Sequence, residues 1–182
     1  GVSIKHDGTT SPIIEGGSHY VNFPSSDYSN YNGGYHNHTL EGIKMLSPND
    51  IGILINFANL QPNQKVGDAF FGMIVAEGNI THDYIITFTG TKSEAIQFYT
   101  NGWDYDGLKD WYMLEAFKLS KVSSNLNPST SSLTSQGLEK LFYALLKKMG
   151  LENKIALKKI ENNIVQNITY DSDGNPTKTN CN

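Results

Sequence analysis

Two apolar runs meet at a turn in the middle of the chain. Asp68-Ala-Phe-Phe-Gly-Met-Ile-Val-Ala-Glu77 and Asp83-Tyr-Ile-Ile-Thr-Phe-Thr89 are rich in aromatic and β-branched residues, and Gly78-Asn79 separates them. That pattern predicts an antiparallel hairpin. Ahead of it, Ser47-Pro48-Asn49-Asp50 reads as a helix start, with serine at the N-cap, proline at N1 and an acid at N3. Ile51, Ile53, Leu54, Ile55, Phe57 and Ala58 continue a helix from Pro48 to about Asn59, which Gln61-Pro62-Asn63 ends. Residues 18–23 and 35–40 read as short strands, joined by a polar loop. Residues 1–12 lack periodicity and read as a linker or a fraying end.

After the hairpin the period becomes helical. A short helix is expected over 92–99, with an irregular stretch over 101–107. Leu108, Trp111, Tyr112, Leu114, Phe117 and Leu119 predict a helix over 108–124. Thr134 caps a further helix through Leu138, Leu141, Phe142, Leu145 and Leu146, and Gly150 stops it. Residues 155–169 read as extended, and Asp173-Gly174-Asn175-Pro176 as a turn before a last strand. No repeat and no internal boundary interrupts residues 13–182. The expectation is one α+β domain, a mixed or antiparallel sheet flanked by helices.

Composition narrows the function classes. A net charge of -4 with 14 basic residues argues against a nucleic-acid binder that relies on phosphate neutralisation. No apolar run is long enough for a membrane span, and no signal peptide is visible, so the compartment stays open between cytoplasmic and secreted. Cys181 is the sole cysteine, which excludes an intrachain disulfide and a thiolate metal site. A metal here must rest on histidine and carboxylate.

His36 and His38 supply such donors. On a strand, side chains at i and i+2 share a side, so their imidazoles can converge. Asp50, three residues past the Ser47 cap, can face them from the helix start. Two nitrogens and one oxygen would leave a fourth zinc position open for water, as hydrolytic sites require. Ser47 is placed to donate to a developing oxyanion. Each piece also has a plain reading: Ser-x-x-Asp is a good capping box without any metal, and His-x-His alone is weak. His6, His19 and His82 lack such company and read as solvated histidines. Trp111 reads as core, and Trp103 is open between core and a substrate groove.

His36-x-His38 followed by Ser47-x-x-Asp50 resembles the signature of the JAMM (MPN-type) zinc metallopeptidases, with the same order of strand, helix and hairpin. The resemblance covers about residues 13–90. It implies a JAB/MPN (cytidine deaminase-like) fold with a helical extension over 91–182, and Zn²⁺ bound by His36, His38 and Asp50. It implies Ser47 as oxyanion donor and an upstream glutamate as general acid/base, for which Glu15 is the sole glutamate before His36. Glu41 and Glu77 are the rivals. Eight residues separate His38 from Ser47, where the family usually has seven. The activity implied is cleavage of a peptide or isopeptide bond in a protein or peptide substrate, and bacterial relatives with other substrates occur. The alternative is a non-catalytic binding or scaffold module of the same fold, such as the C-terminal domain of a larger secreted or toxin-like polypeptide.

Overall fold

The computed structural model describes residues 1–17, 21–23, 29–39 and 41–181. Its frame is a seven-stranded sheet in sequential order: β1 (Val2–Lys5), β2 (Tyr31–Asn37), β3 (Phe70–Glu77), β4 (Ile80–Phe88), β5 (Ile155–Glu161), β6 (Ile164–Tyr170) and β7 (Pro176–Asn180). β2 and β3 run parallel, because helix α1 (Pro48–Leu60) carries the chain back between them. Every other neighbouring pair is antiparallel. Helices α2 (Lys92–Asn101), α3 (Tyr105–Ser120) and α4 (Ser135–Met149) fill the interval between β4 and β5. The single α+β domain expected from the pattern is present, and 108–182 adds helices and strands to the same sheet and core.

One face of the sheet carries the core. Phe71, Met73 and Val75 on β3, with Tyr84, Ile86 and Phe88 on β4, are buried at alternate positions. α1 covers them with Ile51, Leu54, Ile55 and Ala58, and α4 adds Leu138, Leu141, Phe142 and Leu145. α4 begins at the Thr134 cap and ends at Gly150, whose φ of 71° is the left-handed region that glycine enters without penalty.

The structure departs from the pattern in several places. Val2–Lys5 is not a linker: it pairs antiparallel with β2, from Val2 opposite Tyr35 to Lys5 opposite Tyr31. Of the strand expected over 18–23, residues 18–20 lie outside the described residues, and 21–23 are not a strand. β1 holds the place beside β2, and Phe23 instead lays its ring over Gly34, where an added Cβ would stand 2.6 Å from it. His82 is not solvated. It shares the core-facing side of β4 with Tyr84 and is 3% exposed. His6 is exposed as expected, and His19 lies outside the described residues. α3 buries Leu108 and Tyr112, but Leu114 and Phe117 are 52% and 57% exposed. At 3.6 residues per turn they fall on other faces than Leu108. Trp103 and Trp111 both pack against the core, and the Trp103 ring stacks on Phe98 at 6.0 Å. The extended stretch after 155 is a hairpin that turns at Asn162 and Asn163, both with positive φ.

The cap of α2 carries a pH dependence. Glu94 accepts the Thr91 backbone N–H at 2.7 Å and pairs with Lys154 at 2.6 Å, tying α2 to the turn before β5. The Lys154 bond first, then those from Thr91, lower its carboxyl from 4.5 to about 2. A carboxyl depressed on folding stabilises the fold above its unfolded value and loses that contribution as the pH falls through its folded value. Thermal midpoints of the parent chain should therefore decline between pH 4.5 and about 2. The decline should be shallower in Glu94→Gln, whose midpoint at neutral pH is lower. Parallel pH profiles for the two proteins would rule this out.

Candidate metal centre

The site is built where β2 ends against the start of α1. Gly33 and Gly34 let β2 lie close to its neighbours: a Cβ on Gly33 would stand 2.1 Å from the Phe70 carbonyl oxygen. The next core-facing residue, His36, is buried and stacks on Phe71 at 4.8 Å between ring centroids. His38 lies one residue past the strand, yet its backbone N–H still donates to the Ile74 carbonyl at 2.8 Å. That bond extends the β3 pairing and keeps both imidazoles on one side, as the i and i+2 spacing requires.

Asp50 comes from the capping box of α1. The Ser47 N–H donates to Asp50 Oδ2 at 2.7 Å, and the Asp50 N–H donates to Ser47 Oγ at 3.3 Å. The plain reading of Ser-x-x-Asp therefore holds, and the same carboxylate also faces the histidines. His36 Nε2 lies 3.3 Å from Asp50 Oδ1, His38 Nε2 lies 3.5 Å from Asp50 Oδ2, and the two Nε2 atoms are 2.9 Å apart.

The far side of each ring faces a backbone carbonyl. His36 Nδ1–H donates to the Gly72 carbonyl at 2.9 Å, and His38 Nδ1 lies 3.4 Å from the Ile43 carbonyl oxygen. A metal bound at the two Nε2 atoms would leave each Nδ1–H directed at its carbonyl. Burial pushes His36 below its ordinary value against the pull of Asp50. Burial raises the Asp50 carboxyl, but the His38 bond, the histidine charges and the Ser47 amide outweigh it and hold it below the usual range.

Donor atoms of three residues thus converge on one point, a set that fits a bound cation. All three ligand atoms lie within 4.8 Å of one another. Two imidazole nitrogens and a carboxylate are the kind of donor set that zinc takes, with bonds of about 2.0–2.1 Å. The donor set fits zinc, and no other such cluster of His, Cys, Asp and Glu occurs among the described residues.

A cleft of about 960 Å³ opens over the three residues. Ser47 lines it; its oxygen accepts the Asp50 N–H, which leaves its own proton free to donate. Glu15 and Glu41 are exposed and line the same cleft. The Glu15 carboxylate has no hydrogen bond or ion pair among the described residues. Glu77 does not line the cleft and is bound to Lys44 and Ser132.

Parts of this surround had no signal in the residue pattern. The Gly72 and Ile43 carbonyls are backbone atoms that any residue supplies. Tyr112 reads as a core aromatic, yet its hydroxyl donates to the Leu46 carbonyl at 3.0 Å, next to the Ser47 cap. Lys44 was detectable: a lysine within Ile43-Lys44-Met45-Leu46 points to a buried, paired ammonium. Comparison of the chain with family models, with curated proteins and with solved structures finds no match.

Proposed function

We propose that the chain is a zinc-dependent hydrolase that cleaves a peptide or isopeptide amide bond, with a fold of the JAB/MPN kind. The convergence of His36 Nε2, His38 Nε2 and the Asp50 carboxylate, each oriented from behind, is the observation that carries this reading. The order of elements supports it: the histidines end β2, the Ser-x-x-Asp starts α1, and the β3–β4 hairpin follows.

His36, His38 and Asp50 would hold the ion, which would supply an acidified water and polarise the scissile carbonyl. Glu15, on the cleft wall, takes the proton from the attacking water and returns it to the leaving amine. Ser47 donates its free proton toward the oxyanion as it forms. The cleft receives the chain being cut; among the described residues no helix is long and apolar enough to cross a membrane.

Metal analysis of protein purified without chelator or metal-affinity resin, followed by peptide and isopeptide cleavage assays, tests the reading. One zinc per chain with turnover is expected. A chain that takes up no zinc at neutral pH would remove its basis.

A second reading is favoured by the freedom of the Glu15 carboxylate: the same centre in a binding or scaffold module without turnover. Stoichiometric zinc with no cleavage across a broad peptide set is its signature. Ser47→Ala bears on both readings. It removes the cap and should cost about 1 kcal/mol of stability, while for a hydrolase turnover falls by roughly 10²–10³ if the hydroxyl is a well-aimed oxyanion donor. Thermal melts and rate assays on the same preparation separate the two effects. Unchanged turnover would take Ser47 out of the chemistry.

A further inference from the structure

We propose that the Lys44–Glu77 ion pair is a positioning pair for His38, setting the ring that the metal reading above assigns as a ligand. The inference rests on that reading but makes its own claim about the metal-free protein.

The backbone of His38 is pinned to β3 through its N–H on Ile74. The rotation of the ring is set between the Ile43 carbonyl oxygen, 3.4 Å from Nδ1, and His36 Nε2, 2.9 Å from its own Nε2. The contact with Ile43 is long, so a small displacement of Ile43 breaks it. Between His38 and Ile43, among the described residues, Thr39 Oγ1 donates to the Glu41 carbonyl at 3.1 Å, while Glu41 and Gly42 are exposed and Gly42, at φ 109°, has nothing within 4 Å of an added Cβ. The first buried polar anchor is Lys44, one residue beyond the carbonyl.

Lys44 Nζ donates to Glu77 Oε1 at 2.6 Å, with both side chains largely out of water. Glu77 ends β3, the strand whose Gly72 carbonyl also orients His36. Ser132 Oγ lies 3.2 Å from each Glu77 oxygen, and His82 Nε2 lies 3.7 Å from Oε2. The carboxylate therefore ties the loop after His38 to the end of β3 and to the loop before α4. Both outer carbonyls of the centre are then referred to one strand, Gly72 directly and Ile43 through Lys44. Met45 and Leu46, also buried, are the competing anchors. If they alone hold the loop, the ion pair is structural ballast.

The test compares the parent chain with Lys44→Met, Lys44→Arg and the double variant Lys44→Met/Glu77→Leu. The double variant leaves no buried charge of the pair unmatched, so it serves as the test where the stranded Glu77 of Lys44→Met destabilises the chain. The first readout is the His38 tautomer in metal-free, ¹⁵N-histidine-labelled protein in alkaline buffer. The second is the zinc dissociation constant by competition with a chromophoric chelator. In the parent, His38 should populate a single tautomer. In the double variant, and in Lys44→Met where it folds, the ring should become a mixture of tautomers and zinc should bind about 10–100-fold more weakly, the range typical for loss of an outer-shell partner. Lys44→Arg should stay near the parent in both. A double variant with the parent's tautomer and zinc affinity overturns the proposal, even if its melting point falls. If the parent binds no zinc, the metal reading fails, and the tautomer readout alone decides the positioning claim.

Discussion

His38→Ala is expected to give a folded chain that no longer holds zinc. The site offers three protein donors, and removing one leaves His36 and Asp50 to compete with water for the ion. The loss should exceed the roughly 10–100-fold typical of outer-shell changes. His38 lies beyond the end of β2 and is only partly buried, so little packing goes with it. His36→Ala should lose the metal as well, and should also melt lower, because its ring stacks on buried Phe71. Metal content after dialysis, a competition titration and a thermal melt on each variant give the comparison. A His38→Ala chain that retains one zinc at parental affinity would show that the ion, if present, is held elsewhere.

The second large effect concerns the base. Glu15→Gln should lower turnover by about 10²–10⁴, the range for loss of a general acid/base, and leave zinc content unchanged. Glutamine keeps the shape of the side chain but cannot take the proton from the attacking water. Glu15 and Glu41 stand on the same cleft, and neither is a ligand candidate, so the paired variants Glu15→Gln and Glu41→Gln form a clean contrast. If Glu41→Gln loses turnover and Glu15→Gln keeps it, the base has been assigned to the wrong wall of the cleft. Glu77→Gln does not belong to this comparison, since that carboxylate is bound to Lys44 and Ser132 away from the cleft.

Much of this arrangement was legible from local chemistry. The Ser47 cap, the Thr134 cap and the Gly150 stop each name a backbone geometry, and each is found in place. The β3–β4 hairpin was readable because two apolar runs flank one turn. His36 and His38 share a side because a strand alternates, and the His38 N–H on Ile74 carries that alternation one residue past β2. What escaped is mostly pairing between distant segments. Val2–Lys5 is a strand only because β2 offers it an edge, and four residues carry too little pattern to announce that. The break in the stretch after 155 had a signal, since adjacent asparagines suit a tight turn with positive φ, but it reads weakly without glycine. His82 escaped because a lone polar residue on a strand looks solvated until the opposite strand and helix are placed.

The double duty of Asp50 has a consequence for how the ion arrives. The carboxylate is held by the Ser47 amide, and the imidazoles by the Gly72 and Ile43 carbonyls, so backbone contacts order every donor before any cation is present. The donors also come from one short stretch, residues 36–50, so an ion bridging them closes only a small loop and adds little chain-entropy stabilisation of its own. On the proposed reading, zinc would be an accessory to a finished fold rather than the nucleus of one. It would be loaded late, into a protein already synthesised and folded, and stripped by a chelator without melting the chain. Its hold on the fold would be ordinary mass action, about 2.7 kcal/mol when free metal stands at 100 times the dissociation constant, so that availability of the ion would act as an on–off control that leaves the protein itself intact.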